Sequence, residues 1–424
     1  MGNILLGVVA DDFTGASDAA SFLVKEGIKT ILYNGVPGKP PGVEGEDLAV
    51  VIALKTRTER KDLAVSLSME AFRWLKDNGA RQLYSKYCST FDSTPEGNIG
   101  PIIDAVLETF GYPYTIVAPA LPVNGRVVKD GHLLVNGVPL HHTHMKDHPL
   151  TPMWDSDLAE LLRPQGKYPS LKIPHDKLAL DKAEILRIVE DFGRGKAHFY
   201  VIPDYCDDAH AGKIVEVFGD IPFLTGGSGL MTGLGRKYRA DGSAPADIVA
   251  SGTDGKALIL AGSCSVATLR QIETFQAAGG KSIKMDPIRL ADGTQTKEEI
   301  WRQIDASDGE AVLVYSSDRP EQVRQAQQAV ENAAHMLEQA MAWLARMAER
   351  HGRHRIIVAG GETSGAVTQA LGYNAYLVGQ SIAPGVPVMV PMENRRLRLV
   401  LKSGNFGQED FFLRAIDMTR GDTR

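Results

Sequence analysis

The chain has 424 residues, 43% hydrophobic and 23% charged, which is the make-up of an ordinary globular protein and more length than one core serves, so two domains are expected. Its formal net charge of −6 argues against a sequence-independent hold on nucleic acid, which needs clustered Lys and Arg. Three scattered cysteines, Cys88, Cys206 and Cys264, without a C-x-x-C, argue against a disulfide framework or a zinc site.

Residues 4–10 read as a buried strand and 16–25 as a helix with one apolar face. The alternation continues with a strand at 48–54, a helix at 63–76, a strand at 82–87, a helix at 98–109 and a strand at 114–119. Short apolar runs separated by amphipathic stretches predict βαβ units and a mostly parallel sheet. Residues 120–176, rich in Pro, Gly and His, break the rhythm, with an antiparallel excursion expected over 127–138 around Asn136-Gly137. The α/β pattern resumes with a helix at 182–190, a strand at 198–203, a helix at 209–218 and the turn Gly226-Gly-Ser-Gly229.

Residues 240–255, rich in Ala, Gly, Ser and Asp and without a period, look like a linker. A second series follows: strand 257–262, helix 266–277, strand 282–285, helix 297–305 and strand 311–315. Residues 321–350 read as one long helix that serves either a core or a homodimer contact, its Met336, Met341 and Met347 filling gaps. Strand 355–359, helix 364–371 and several late strands close the chain. No apolar stretch reaches the roughly 20 residues of a membrane span. The start lacks the basic region of a signal peptide. No membrane association is expected, and the cytoplasm is the expected compartment.

Asp11 and Asp12 stand at the carboxyl end of the first strand, the edge where open α/β sheets bind ligands. Such a pair offers hydroxyl recognition, a metal foothold or a general base, or Asp12 or Thr14 merely caps the next helix. Lys55 and Arg57 end the next strand at the same edge and suit a carboxylate, or form a solvated basic turn. The loop Lys86-Tyr-Cys-Ser-Thr-Phe-Asp-Ser-Thr-Pro-Glu-Gly-Asn98 gathers Lys86, Ser89, Thr90, Asp92 and Asn98, a density of small polar groups suited to a polyhydroxylated ligand, or a capped helix entry. The run His141-His-Thr-His-Met-Lys-Asp-His148 is irregular and offers no helical metal-binding face; a loop bordering the substrate, with a His or Lys146 aiding anion binding, fits it better. Gly226–Gly229 either cradles phosphate or packs a helix closely.

In the second half, Ala261-Gly-Ser-Cys-Ser265 and Gly360-Gly-Glu-Thr-Ser-Gly365 each follow a strand and open a helical pattern, and Lys402-Ser-Gly-Asn-Phe-Gly407 is a third glycine-rich turn. Free backbone N–H groups at such turns make anion sites, and several in one domain predict a polyphosphate such as a nucleotide. The P-loop and protein-kinase motifs are absent, as is a G-x-G-x-x-G after the first strand.

Together, Asp11-Asp-Phe-Thr-Gly-Ala-Ser-Asp18, Gly360-Gly-Glu-Thr-Ser-Gly365 and Leu401-Lys-Ser-Gly-Asn-Phe-Gly407 resemble the four-carbon acid sugar kinase family over nearly the whole chain. The resemblance implies a sugar-acid-binding domain over 1–239, a linker at 240–256 and a nucleotide-binding domain over 257–424. The implied fold is α/β, two domains each with a mostly parallel sheet flanked by helices, with an active-site cleft between them. The loop Asp92-Ser-Thr-Pro-Glu-Gly-Asn98 carries Glu96 where threonate and erythronate kinases of the family carry Arg, and so resembles the 3-oxo-tetronate branch, which phosphorylates a terminal 4-hydroxyl. A D-threonate or D-erythronate 4-kinase is the alternative within the family, and a nicotinamide-dependent sugar-acid dehydrogenase the alternative outside it.

On that resemblance Lys55, Arg57 and Lys86 bind the substrate carboxylate, while Asp11, Asp12, Ser89, Thr90 and Asn98 meet its oxygens. Asp12 is the expected base, with Asp92 second. ATP phosphates are expected over Ser263, Gly360, Gly361, Glu362, Thr363, Gly404 and Gly407, with Mg²⁺ bridging them.

Overall fold

The apolar run Ile4-Leu-Leu-Gly-Val-Val-Ala10 forms strand β1 (Asn3–Ala10), buried along nearly its whole length as a strand covered on both faces must be. The computed structural model describes residues 3–39, 47–147, 151–243 and 249–421. The chain falls into two units, Met1–Asp247 and Ile248–Arg424.

In the first unit β1 is joined by β2 (Lys29–Asn34), β3 (Asp47–Ala53), β4 (Gln82–Lys86) and β5 (Tyr114–Ala118). A small antiparallel sheet of β6 (Arg126–Lys129), β7 (His132–Val135) and β8 (Val138–Pro139) follows, then β9 (Ser170–Ile173), β10 (Phe199–Pro203) and β11 (Phe223–Gly226). The main sheet runs β2-β3-β1-β4-β11-β5-β10-β9 with all these pairings parallel. The helices Phe13–Lys25 and Leu230–Ala240 pack on each other, as do Lys61–Asp77 and Ile99–Phe110. The chain visits β2 and β3 on one side of β1 and then crosses to β4 on the other. The carboxyl ends of β1, β3 and β4 therefore frame a topological switch point.

The excursion around β6–β8 turns twice rather than once. Asp130-Gly131 and Asn136-Gly137 each have two successive positive φ values, 52° and 76° then 51° and 81°, as two-residue hairpins demand. The Gly226–Gly229 turn is a packing device: a Cβ at Gly226, Gly227 or Gly229 would stand 2.2–2.3 Å from the carbonyl oxygens of Ala118, Pro119 and Ala120.

The second unit repeats the arrangement. Its strands are β12 (Ala257–Ala261), β13 (Lys281–Lys284), β14 (Ala311–Tyr315), β15 (Arg355–Ala359), β16 (Ala375–Ala383), β17 (Val386–Pro391) and β18 (Arg398–Lys402). They run β13-β14-β12-β15-β18-β17-β16, parallel from β13 to β18 and antiparallel at β17. As in the first unit, the opening strand lies between the third and fourth, which puts a switch point at the ends of β12 and β15. One side of the sheet buries Ile259, Leu313, Ile357 and Val400 with Phe411, Phe412 and Ile416 of the helix Phe411–Thr419.

One expectation needs correction. Residues 321–350 are not one helix: Pro320–Ala329 and Ala333–Arg350 are separated where Val330 turns extended and Asn332 adopts φ 60°. The helix Ala333–Arg350 packs on the unit's own helices, Gly361–Leu371 among them, which favours the core over a dimer contact. The linker expected at 240–256 also holds structure. The helix Leu230–Ala240 reaches its first residue, Ser251 and Gly252 carbonyls accept from Arg398, and Thr253 bridges to Arg420. Residues 244–248 lie outside the described residues. Among the described residues no helix is long and apolar enough to cross a membrane.

Candidate functional site

Backbone hydrogen bonds lock three strand ends of the first unit together. Asp11 N–H donates to Lys86 O and Thr56 N–H to Asp11 O, each at 3.0 Å. Arg57 is thereby held over the aspartate pair. Its Nε and Nη2 grip Asp11 at 2.8 and 2.9 Å, and Nη2 lies 3.1 Å from Asp12. Asp12 also caps the helix Phe13–Lys25, accepting from Gly15 N–H at 2.7 Å. The capping and functional readings of Asp12 are compatible, because one carboxylate does both.

Asp12 is 32% exposed, yet its carboxyl is raised above the ordinary range, first by desolvation and then by Asp11, against the pull of Arg57 and Lys86. For Arg57, burial works against the charge, but Asp11 and Asp12 hold its guanidinium firmly protonated.

Asp11, Thr56, Arg57, Lys86, Asp92, Ser93 and Asn98 line a small recess at this edge. Lys86 is 4% exposed and donates to Tyr87 O at 2.8 Å, leaving ammonium donors for a ligand. Asp92 accepts from Thr90 Oγ1 at 2.5 Å. Asn98 Nδ2 clamps the carbonyls of Thr56 and Glu59 at 2.7 and 2.8 Å, while its Oδ1 is buried without a partner among the described residues. An orphaned buried acceptor is costly unless a ligand donates to it.

The recess brings together Asp11, Arg57, Lys86, Asp92 and Asn98 of the expected residues. Lys55 is exposed and does not line it, and Asp12, Ser89 and Thr90 also lie outside its wall, Asp12 next to it through Arg57. None of His141–Asp147 borders it, and His148 lies outside the described residues. Thr56 and Ser93 line it without having been singled out. Beneath it Asp18, buried, accepts from Ser228 Oγ; burial raises its carboxyl while Lys86 and Ser228 oppose the rise.

In the second unit a cavity of about 460 Å³ opens at the switch point, the size of small-molecule sites. Its polar floor is Gly262, Ser263 and Gly360–Thr363. The helix Gly361–Leu371 starts three residues before expectation, so the glycines form its first turn, and no side chain caps it. Its leading N–H groups are those that an anion satisfies. Gly360 has φ 133°, and a Cβ there would stand 3.1 Å from Ser263 N and Thr363 Oγ1. Gly404 sits against Ser263 Oγ behind the floor. Gly407 does not line the cavity; a Cβ there would meet Phe411 at 2.5 Å, so it serves packing.

Val323, Ala333, Leu337 and Met341 give the lining an apolar part, alongside the polar Lys284, Asp318, Gln322 and Gln325. Met341, expected only to fill a gap, is a cavity wall. An apolar slot facing an amide-lined floor matches a planar base with a polyphosphate tail. Glu338 and Glu362 border the same cavity, and Glu338 is raised by burial and then by Glu362.

Two family models match the chain, one in each unit. A model described as a sugar-binding N-terminal domain matches residues 6–234, and one described as a nucleotide-binding C-terminal domain matches residues 258–412. The chain belongs to the four-carbon acid sugar kinase family. Among family members, a 3-oxo-tetronate kinase of Cupriavidus necator is 41% identical over 98% of this chain and 98% of its own. Another, of Haemophilus influenzae, is 39% identical over 96% of this chain and 98% of its own. A crystal structure of a Haemophilus influenzae protein superimposes with a TM-score of 0.84 at 38% identity, covering 97% of this chain and 99% of that one. A Salmonella typhimurium protein described as a tRNA synthase gives 0.88 at 38% identity over 97% and 98%.

Proposed function

We propose that the protein is a 3-oxo-tetronate kinase, transferring the γ-phosphoryl group of ATP to the terminal 4-hydroxyl of a four-carbon 3-oxo sugar acid. What carries this reading is the presence on one chain of two chemically different sites, each at a switch point. One is a cationic and carboxylate-bearing recess, the other an amide-floored cavity with an apolar wall. The full-length likeness to kinases of that name supports the substrate class. The exposed Glu96, in place of an Arg, favours the 3-oxo branch over the threonate and erythronate kinases.

The substrate carboxylate is met by Lys86 and by the Nη1 side of Arg57, whose other donors hold Asp11 and Asp12. Asn98 Oδ1 accepts from a substrate hydroxyl. Asp12, in its ionised form, takes the proton of the 4-hydroxyl late in the transfer, with Asp92 the alternative base. Phosphoryl transfer needs the acceptor oxygen in line with the γ-phosphate, so turnover requires the two units to close around both substrates and exclude water. Positioning of this kind can supply roughly 7–11 kcal/mol of the barrier reduction. Glu338 and Glu362 are hard oxygen donors suited to holding Mg²⁺ largely through water, and the ion neutralises phosphate charge when bound.

A tRNA-directed activity finds no support in a net charge of −6. A coupled ADP-release assay across tetronates and 3-oxo-tetronates tests the reading. The highest kcat/KM is expected with a 3-oxo-tetronate. A clear preference for threonate or erythronate would move the protein to the other branch, and nicotinamide reduction without ADP release would remove it from the kinases.

A further inference from the structure

Lys402 ends β18 with 1% exposure and with no carboxylate partner among the described residues. Burying an ammonium is costly unless an opposite charge or a full set of acceptors offsets it. Its Nζ donates to Thr268 Oγ1 at 3.0 Å, Ser403 O at 3.1 Å and Gly404 O at 2.8 Å, all neutral groups. The Gly404 carbonyl also accepts from Ser265 Oγ at 2.6 Å and Thr268 Oγ1 at 2.9 Å.

Three donors on one oxygen fix the turn. A Cβ at Gly404 would stand 2.3 Å from Ser263 Oγ, so this turn lies directly against a residue of the cavity floor. Lys402 O accepts from Gly360 N–H at 3.0 Å, tying it to the glycine that opens the uncapped helix.

Among the described residues the surroundings hold no competing charge. The helix Val266–Ala277 presents Thr268, the helix Phe411–Thr419 presents the Phe411 ring at 5.8 Å, and β17 carries no charged residue. Arg270 and Glu409 pair with each other at the surface at 3.1 Å, and Asp410 and Glu362 are exposed.

We propose that Lys402 is a positioning residue for the nucleotide: its ammonium holds the Ser265–Gly404 turn and supplies the buried positive charge that bound phosphates neutralise. The proposal rests on the second unit's cavity being the ATP site. Burial pushes the Lys402 ammonium down to about 7 in the free protein. A phosphate over the turn favours the charged form, so nucleotide binding takes up a proton.

Titration calorimetry of ADP into the full chain, in buffers of different ionisation enthalpy, counts that proton. At about pH 8 the nucleotide's own phosphate, with an ordinary second pKa near 6, is ionised. We expect the wild type to take up on the order of half a proton or more, K402R to take up none, and K402M to bind ADP at least about tenfold more weakly. Zero uptake by the wild type overturns the proposal by itself, whether or not either variant folds. So does equal uptake by wild type and a folded K402R, or unchanged affinity in a folded K402M. Absence of ADP binding by the wild type would instead overturn the nucleotide reading of the cavity, and the proposal with it.

Discussion

Arg57 holds Asp11 through two parallel hydrogen bonds of 2.8 and 2.9 Å and reaches Asp12 with the same Nη2 at 3.1 Å. A planar fork spans two adjacent carboxylates, whereas the ammonium of a lysine is a point charge on a flexible stem. We expect Arg57→Lys to lower kcat/KM for the sugar acid by ~10- to 100-fold, the loss of about 1.4–2.8 kcal/mol of transition-state binding. The KM for ATP should be little changed. Steady-state ADP release with each substrate varied in turn checks this.

Asp12→Asn separates the two duties of that carboxylate. Asn caps helices about as well as Asp, so the start of the helix Phe13–Lys25 should persist. On the proposed mechanism this variant lacks the base, and kcat should fall by ~10²- to 10⁴-fold. Because the folded carboxyl is raised above the ordinary 3.8, the folded state holds this proton more firmly than the unfolded state. Stability from this group is therefore present below the unfolded value and lost as pH rises through the folded one. At neutral pH the Asn variant should melt at or slightly above the wild-type temperature while nearly inactive. A clearly lower Tm would point to a structural rather than a chemical role.

The same raised carboxyl sets an acid limb for activity. A base must be deprotonated to accept a proton, so kcat/KM should decline on acidification with a midpoint above that of an ordinary carboxylate. A pH–rate profile showing a midpoint at or below the usual Asp value would remove Asp12 from the role.

Gly15→Ala tests how closely the cap is built. The new Cβ would stand 2.4 Å from Asp12 Oδ1 and 2.9 Å from Lys86 Nζ, displacing both the capping carboxylate and the buried cation. A stability loss of about 1–3 kcal/mol is expected, with a rise in the sugar-acid KM. Thermal denaturation and the coupled assay measure the two effects.

In the second unit, Gly360→Ala forces a side chain into φ 133° against Ser263 and Thr363. The strain is about 1–3 kcal/mol. We expect ADP affinity measured by calorimetry to fall while binding of the sugar acid in the first unit is retained.

Much of the recess was legible because paired acidic and basic residues at strand ends are a chemical signal that survives without coordinates. Asp11, Arg57 and Lys86, read that way, line the recess, and Asp12 lies beside it. What the sequence did not carry was partnership. Arg57 and Asp11 are 46 positions apart, and only the adjacency of β1 and β3 joins them, turning an expected substrate clamp into one that first orders the aspartates. Lys55 reads like Arg57 in the chain but points to solvent.

Lys402 reads like any surface lysine until the order β15-β18-β17 buries it. The break at Asn332 escaped notice because the flanking Ala, Gln and Glu favour helix strongly. Strand β2 was missed because its six residues have no clear period, and its place beside β3 is a tertiary outcome.

The cavity of the second unit draws its floor and its apolar wall from separate stretches of chain. Ser263 and Gly360–Thr363 sit on strand ends fixed by the sheet, whereas Val323, Ala333, Leu337 and Met341 come from the excursion linking β14 to β15. On the proposed ATP reading of this cavity, base contacts and phosphate contacts come from different stretches of chain, so exchanging that excursion is a route to guanine-nucleotide usage.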